Sequence, residues 1–435
     1  MALSFGIIFL AVCILFSLRY SFAMPSLFAA TYSSICLIIY GSLIFSGAEA
    51  RNILFSAMPL RDIEKSENLT LVFYSGLIIT CLFITLGVKS NRHNKFLQVL
   101  SETIWRKRTF LSSGYMFVFL IFWSLLLLCH AFDLDWDTVF RNYSYQSIKN
   151  PDMAGIDTLF GRLFHFLFRP LGVFISILMI IFLSTGYFIY FIISFFIGAY
   201  SFIILLADSS RWAPLYLFTM FLASGVIQGR WLTIRNTFLL VGMFLAFLTV
   251  LTGRSEQLHG VTRIDDNLQK AIFYRPGDAA IGFFVNTMEG AINFANAVVI
   301  DADHPTEYKV LALSPLVSAI DGYARIRDEA QVRISPVVPM GSFGEIWHFG
   351  PVYLIIYFAV YFLFLRLSNI ILSRGEPVSG FFFLTLSTYV TLIAPSYSTR
   401  TSFRFMFYGL LIGLALYFLR KNPRRGKAIY RSRFN

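Results

Sequence analysis

Apolar residues fill long stretches of this chain, and short polar or basic segments separate those stretches. A helix that crosses a bilayer needs roughly 17–25 mostly apolar residues. Eleven stretches approach or meet that length, namely residues 2–18, 24–46, 69–88, 110–132, 166–184, 187–206, 212–228, 237–252, 346–365, 380–396 and 403–419. The pattern predicts an all-α, polytopic integral membrane protein, with one membrane domain over residues 1–435 and about eleven transmembrane helices.

Two of these stretches adjoin in one apolar run from Phe166 to Leu206, where Arg169 is the only charged residue. The run is too long for a single crossing, so we expect a tight turn at Ser184-Thr185-Gly186. The first stretch, residues 2–18, has no basic residue before it and no convincing small-residue cleavage site. It therefore indicates a retained helix rather than a signal peptide.

The composition agrees with a chain that is solvated by lipid. Hydrophobic residues make up 57% of it and charged residues only 14%, whereas soluble domains carry about 25% charge. This balance argues against both a water-soluble enzyme and a disordered chain. The four cysteines all lie in apolar stretches without CxxC spacing, which favours small packed side chains over a disulfide or a metal site. We expect neither a metal nor a cofactor.

The net charge of +12 reflects membrane topology better than nucleic-acid binding, because much of it flanks the apolar stretches and no nucleic-acid-binding module accompanies it. With the C-terminus inside, the cytoplasmic segments hold 18 Lys+Arg and 2 Asp+Glu, and the opposite side holds 18 and 22. The positive-inside rule then places the N-terminus in the periplasm and the C-terminus in the cytoplasm. The basic segment 420–427 is expected to bind anionic membrane lipids.

This topology places three substantial loops outside, at residues 47–68, 133–165 and 253–345. The third is 93 residues long, well beyond an ordinary connection, so we expect it to form a functional subdomain. Semi-amphipathic stretches at residues 279–299 and 308–331 predict two or more helices in it, which would lie on or dip into the outer surface.

Arginines dominate the cations of the predicted outer side, where 14 Arg accompany 4 Lys. A guanidinium group suits phosphate better than an ammonium group does, because it offers several donors in a fixed fork. The candidates for binding a lipid diphosphate are Arg211, Arg275, Arg325, Arg333, Arg400, Arg404 and Tyr397. The alternative is that these arginines are interfacial anchors paired with outer acids, as Asp208 could pair with Arg211.

Spacing joins several of these candidates. Tyr397, Arg400 and Arg404 recur at three and four residues and so should share one helix face. Glu345 and His348 share a face at the start of the ninth stretch, where either could act as a general base, although an interfacial histidine with structural hydrogen bonds is commoner. No ionisable residue lies near the middle of a predicted span, which weighs against a secondary transporter. Phosphate-binding glycine loops and GxSxG, HExxH or CxxC motifs are absent from the sequence.

Two local stretches carry a resemblance to a known family. One is Ala207-Asp208-Ser209-Ser210-Arg211, directly before an apolar span, and the other is residues 334–350 with the run Gly341-x-x-Gly344-Glu345. They are similar to segments of the Wzy-type polysaccharide polymerases, which include the O-antigen and enterobacterial common antigen polymerases. The number of spans, the large outer loop near the C-terminus and the outer arginines resemble that family too. The likeness is loose over residues 110–420.

The resemblance implies a membrane glycosyltransferase of the C superfamily in the bacterial inner membrane. Its substrate would be undecaprenyl-diphosphate-linked oligosaccharide repeats, joined at the periplasmic face, and a chain-length-regulating co-polymerase is a further candidate partner. Arginines would hold the diphosphate without a metal. The carry-over is closest for Arg211, followed by Arg275. Glu345, Asp278 and His348, in that order, are the candidates for deprotonating the acceptor hydroxyl.

Other functions stay open. O-antigen ligases share the architecture but tend to carry a His-Asn pair in the large loop, and residues 253–345 contain none, since the His93-Asn94 pair lies in the predicted cytoplasmic segment 89–109. A flippase or transporter of the same lipid should line a central cavity with cations at mid-depth, and the predicted spans hold none. A non-enzymatic scaffold would not need arginines gathered at one leaflet.

Overall fold

The computed structural model describes residues 1–20, 24–45, 63–88, 114–141, 155–210, 212–228, 233–255, 259–274, 277, 290–316, 323–335, 338–373 and 377–421. Within these ranges the chain is predominantly helical and forms two compact units. The first unit comprises residues 1–96 and 284–435, and the second comprises residues 97–283. The predicted outer loop is therefore divided, since residues 253–283 belong to the second unit and residues 284–345 to the first.

The first unit combines long apolar helices with several short ones. Its helices are α1 (Ala2–Ser17), α2 (Pro25–Phe45), α3 (Ile63–Leu86), α11 (Gly290–Ala297), α12 (Thr306–Ala312), α13 (Tyr323–Ala330), α14 (Gly341–Phe349), α15 (Pro351–Ser373), α16 (Pro377–Ile393) and α17 (Thr399–Lys421). Strands β1 (Arg333–Ser335) and β2 (Val338–Pro339) pair antiparallel between α13 and α14. The prediction of two or more helices in the large loop is confirmed.

The second unit contains the middle of the chain. Its helices are α4 (Gly114–Asp133), α5 (Trp136–Arg141), α6 (Leu159–Thr185), α7 (Phe188–Ala207), α8 (Trp212–Gln228), α9 (Ile234–Ser255) and α10 (Arg263–Gln269). One π-helical turn, Lys270–Tyr274, continues α10. The predicted turn between α6 and α7 is confirmed: α6 ends at Thr185 and is capped by Gly186, whose φ of 79° is left-handed and whose N–H donates to the Phe182 carbonyl.

Among the described residues, six segments are long and apolar enough to cross a membrane: Pro25–Phe45, Ser66–Leu86, Gly114–Asp133, Phe188–Ala207, Ile234–Arg254 and Pro351–Ser373. Shorter apolar helices occur at Ala2–Ser17, Gly172–Thr185 and Phe382–Ile393. An all-α, multi-pass membrane protein is thereby confirmed in its general architecture. The number of eleven crossings and the single membrane domain stay predictions.

Most predicted boundaries lie within a few residues of a helix end, but the ninth stretch differs. It was expected at residues 346–365, whereas the helix α15 runs from Pro351 to Ser373. Gly350 separates it from α14 with a φ of 98°, a left-handed conformation that suits glycine and ends the preceding helix. Pro351 then favours a new start, because its fixed φ suits the first helical position.

Close backbone contacts and small polar side chains hold the first unit together. A Cβ at Gly41 would lie 2.2 Å from the Leu3 backbone nitrogen, so α1 and α2 approach each other through glycine. Ser26 Oγ lies 2.7 Å from Thr85 Oγ1, and Asn369 Nδ2 donates to Ser26 Oγ at 2.6 Å. These buried bonds link α2, α3 and α15, and they satisfy polar groups that water does not reach.

The core of the second unit is rich in aromatic side chains from α4, α6, α7 and α8. Tyr216 of α8 donates its hydroxyl to the Phe168 carbonyl of α6 at 2.6 Å. A Cβ at position 172 would lie 1.5 Å from that hydroxyl oxygen, so Gly172 leaves the space that the tyrosine occupies. Its fully buried large side chains include Phe164, Phe168 and Phe182.

Candidate functional site

Helix α14 carries two of the predicted catalytic residues, and its glycines explain why it packs so closely. A Cβ at Gly341, where φ is 72°, would lie 1.9 Å from the Pro395 carbonyl oxygen. A Cβ at Gly344 would lie 2.5 Å from the Ala297 Cβ. The run Gly341-x-x-Gly344-Glu345 therefore lets α14 lie against α11 and the segment that precedes α17. This packing buries Glu345 completely.

The Glu345 carboxylate accepts hydrogen bonds from three separate parts of the chain. Oε1 accepts from the Tyr308 hydroxyl and from Gln331 Nε2, both at 3.3 Å. Oε2 accepts from the backbone N–H of Thr399 at 2.8 Å. Because Thr399 begins α17, the carboxylate caps the N-terminus of that helix.

Electrostatics oppose the charged form of this carboxyl. Burial raises the pKa of Glu345 above its ordinary value, although the hydrogen bonds from Thr399, Gln331 and Tyr308 act in the opposite direction. Burial, aided by the nearby Glu345 carboxyl, also raises the pKa of Tyr308, so its hydroxyl stays a donor. Ion pairs of the described residues do not include Glu345. The group is therefore stabilised by neutral donors rather than by a cation.

Arg400 and Arg404 lie on one face of the first turns of α17, and both donate hydrogen bonds to carbonyls of the segment 311–316. Arg400 is only 2% exposed, and its guanidinium carbon lies 4.1 Å from the centroid of the Tyr323 ring. It donates to the carbonyls of Leu311 and, at 2.8 Å, Leu316. Arg404 donates to the same Leu316 carbonyl. The two guanidinium groups thus converge on a single oxygen atom.

Tyr397 departs from the expected arrangement. It lies two residues before α17 begins and so does not continue the helix face of Arg400 and Arg404. Its side chain is 41% exposed, and its carbonyl accepts a hydrogen bond from Ser342 Oγ at 2.8 Å. The turn before α17 breaks the helical periodicity that the spacing suggested.

Arg325 and Arg333 lie in different surroundings. Arg325 is exposed on α13 and lines a cleft of about 420 Å³ together with Asp303, Glu307 and Glu329. Three carboxylates beside one guanidinium group make this cleft a poor site for a diphosphate. Arg333 is exposed in β1, opposite Pro339.

His348 is half-buried on the same helix as Glu345, and its Nε2 donates to the Ala297 carbonyl at 2.8 Å. In a neutral ring this bond leaves Nδ1 as the acceptor. The ring lies 6.4 Å, centroid to centroid, from that of His304, which the sequence did not indicate. His304 donates from Nδ1 to the Ala330 carbonyl at 3.1 Å, and burial lowers its pKa. The one feature of the sequence that could have indicated His304 was its position in the polar segment before Pro305.

Three candidates cannot be compared with these residues. Arg211, Arg275 and Asp278 lie outside the described residues. Asp208, the possible partner of Arg211, is 1% exposed just after α7. The expected choice between anion binding and local pairing at Arg211 therefore stays a prediction.

A second buried polar cluster lies in the second unit and was not predicted from the sequence. His130 Nδ1 lies 2.6 Å from the Tyr200 hydroxyl, and His130 Nε2 lies 3.1 Å from His165 Nδ1. Both histidines are at most 1% exposed. Their signal was weak, because each lies near the end of an apolar stretch, 35 residues from the other. They join α4, α6 and α7 by hydrogen bonds in an otherwise apolar core.

Comparisons with protein-family models, with curated proteins and with solved structures found no match. The resemblance to Wzy-type polymerases therefore rests on the sequence alone, that is, on the two local stretches and the predicted arrangement of spans, outer loop and arginines. The described residues establish a multi-pass helical membrane protein with a capped, arginine-bearing helix start at α17.

Proposed function

We propose that this protein is a membrane glycosyltransferase that joins undecaprenyl-diphosphate-linked oligosaccharide repeat units into a surface polysaccharide. The observation that carries the proposal is the convergence of Arg400 and Arg404 on one oxygen at the start of α17. Two guanidinium groups so placed can also share the oxygens of a phosphate group. The positive end of the helix dipole adds to their attraction for an anion.

The proposed reaction needs an acceptor, a leaving group and a base. An acceptor sugar hydroxyl attacks the anomeric carbon of the donor, and the bond from that carbon to the diphosphate oxygen breaks. The lipid diphosphate leaves with the electron pair, and the arginines stabilise its charge. The hydroxyl proton goes to a base, for which His348 and Glu345 are candidates on α14 and Asp278 is a third candidate.

The structure favours different tasks for the two candidates on α14. Glu345 is fully buried and caps α17, which suits a positioning residue that holds Arg400 in place. His348 is half-buried, and its Nδ1 is the acceptor atom of the neutral ring. His348 is accordingly our first choice for the base among the described residues.

Location and partners complete the proposal. The charge bias between the two sides of the chain supports a bacterial inner-membrane protein with a periplasmic N-terminus and a cytoplasmic C-terminus. In that orientation α17 begins at the periplasmic face, where lipid-linked repeats would be joined. A chain-length-regulating co-polymerase is the proposed protein partner.

Deletion of the gene, followed by gel analysis of the surface glycan, tests the proposal. We expect single repeat units attached to their acceptor in place of long chains. Arg211→Ala should reproduce the deletion, and Arg211→Lys should restore chains poorly because lysine lacks the guanidinium fork. Arg141→Ala is the matched control, since Arg141 is exposed and paired with Asp137.

Two outcomes would replace the proposed function. Long polymer that stays on the carrier lipid in the deletion strain would identify a ligase. Loss of all repeat units from the outer face, with lipid-linked repeats held inside the cell, would identify a flippase. Normal long chains in the deletion strain would exclude all three functions.

A further inference from the structure

An apolar groove opens between four helices of the second unit. It has a volume of about 310 Å³ and is lined almost entirely by apolar side chains. α6 contributes Leu183, α7 contributes Phe195, and α9 contributes Phe238, which are 45%, 46% and 73% exposed. α8 completes the lining with Met220. In a membrane, such a groove can take the acyl chain of a lipid.

One charged residue, Arg235, lies at the edge of this groove near the start of α9. Its Nε donates to Ser224 Oγ at 2.7 Å, and its Nη1 donates to Ser184 Oγ at 3.1 Å. When the Gln228 amide is oriented with its oxygen towards Arg235, that oxygen accepts from Nε at 3.1 Å and from Nη2 at 2.8 Å. All of these partners are neutral.

Within the described part of the chain, hydrogen bonds therefore orient this cation but no acid neutralises it. Among the described residues, the ion pairs do not include Arg235. A partly buried charge in apolar surroundings is costly unless an opposite charge compensates it. An anion at the edge of the groove would supply that compensation, and charge-assisted bonds to a guanidinium group are strong.

The position of Arg235 indicates where that anion comes from. α6 ends at Thr185, α8 ends at Gln228 and α9 begins at Ile234, so Arg235 lies where helix ends meet. The positive-inside bias assigns this end to the cytoplasmic side, where anionic phospholipids are concentrated. An apolar groove beside a cation that forms no ion pair with a described residue matches a lipid with one tail in the groove and its phosphate at the arginine.

We propose that the Arg235 groove binds an anionic phospholipid of the cytoplasmic leaflet. The phosphate would contact the guanidinium group, and Ser184, Ser224 and Gln228 would hold that group in place. An acyl chain would lie along Leu183, Phe195 and Phe238. This binding site is separate from the residues of the proposed glycosyl transfer and does not depend on that activity.

Native mass spectrometry of the full chain in mild detergent tests this site. After removal of bound lipid, the protein is titrated with phosphatidylglycerol and with phosphatidylcholine of the same acyl chains. We expect tighter binding of phosphatidylglycerol, and Arg235→Gln should weaken it about fivefold, as expected for one cation near a headgroup. Arg263→Gln is the matched control, because Arg263 is exposed and paired with Asp266.

Several outcomes would overturn the proposal. An equal loss in Arg263→Gln would show only a general effect of charge. Displacement of phosphatidylglycerol by millimolar inorganic phosphate would show a site for free phosphate rather than for a lipid. If Arg235→Gln does not fold, Leu183→Trp fills the groove from a 45% exposed position and keeps the charge. It should lower the binding of both lipids, and unchanged binding would refute an occupied groove.

Discussion

Two buried polar clusters, one in each unit, obtain hydrogen-bond partners for their central side chain in different ways. Glu345 in the first unit needs donors, and it takes them from Tyr308, Gln331 and Thr399, which are 37, 14 and 54 residues away. His130 in the second unit can donate and accept, and its partners Tyr200 and His165 come from two neighbouring helices.

The two clusters also differ in how much of the local structure depends on them. The partners of Glu345 lie on the short helix α12, in the segment before β1 and at the start of α17, so this carboxyl joins three separate parts of the fold. The partners of His130 lie on α6 and α7, which apolar packing already holds together. We expect the first cluster to be essential for local structure and the second to contribute only its own hydrogen bonds.

Removal of the Glu345 carboxyl should have the largest effect. Glu345→Ala leaves the buried donors of Tyr308 and Thr399 and the half-buried donor of Gln331 without their acceptor, and each unsatisfied buried donor costs about 1–3 kcal/mol, so we expect a loss of stability of about 3 kcal/mol or more. A thermal melt of the purified protein in detergent measures it. Glu329→Ala, at an exposed position on α13, is the matched control and should melt like the wild type. A melting temperature unchanged by Glu345→Ala would contradict the role assigned to this cluster.

Glu345→Gln removes the charge but keeps one of the two acceptor oxygens, so it should have a smaller effect than Glu345→Ala. Because burial raises the pKa of Glu345, its protonated form stabilises the fold fully below the unfolded value of about 4.3, and this contribution is lost as pH rises through the folded pKa. Glutamine does not titrate. The wild type should therefore lose stability relative to Glu345→Gln as pH rises from about 4.5.

Melting curves of both proteins across that pH range check this prediction. A difference between them that grows in favour of the wild type as pH rises would mean that the charged form is the stable one. Glycan extension adds a second result. If Glu345 only positions α17, the folded Glu345→Gln protein should still extend chains, whereas a folded but inactive variant would make Glu345 the base.

The second cluster should respond less to mutation. His130→Ala removes bonds to Tyr200 and His165, but both partners keep other interactions in this core. We expect a loss of about 1–2 kcal/mol, the value for one or two buried hydrogen bonds. Leu128→Ala, at a 48% exposed position on α4, controls for shortening a side chain of this helix. A loss as large as that of Glu345→Ala would remove the distinction between the two clusters.

The sequence pattern predicted the structure correctly where a segment's structure depends on that segment alone. The turn at Gly186 follows from an apolar run that is too long for one crossing. The start of α15 was missed because Ile346 and Phe349 look like the beginning of a span, although they belong to the buried helix α14. Local hydropathy does not distinguish residues buried by protein from residues that face lipid.

In the candidate site too, local spacing was predictable from the sequence and contacts between distant segments were not. The spacing of Arg400 and Arg404 predicted a shared face, and both do act on the Leu316 carbonyl. The partners of Glu345 were not predictable, because a single sequence does not indicate which distant donors will meet a buried acid. The pairing of His130 with His165 was missed for the same reason. Packing between distant segments, rather than local propensity, positions these groups.

Arg404→Gln should have the smallest effect on stability and therefore tests the first cluster most finely. Arg404 is half-buried and shares the Leu316 carbonyl with the fully buried Arg400, so that oxygen keeps a donor when Arg404 is lost. We expect a cost below about 1 kcal/mol in the melt. If Arg404 binds a diphosphate, glycan extension should nevertheless fall well below wild type at equal protein level. Arg404→Lys should recover part of that activity, since it keeps the charge without the fork. Normal extension by the Arg404→Gln protein would instead make Arg404 an anchor for the segment that ends at Leu316, and the anion site would then have to be found elsewhere.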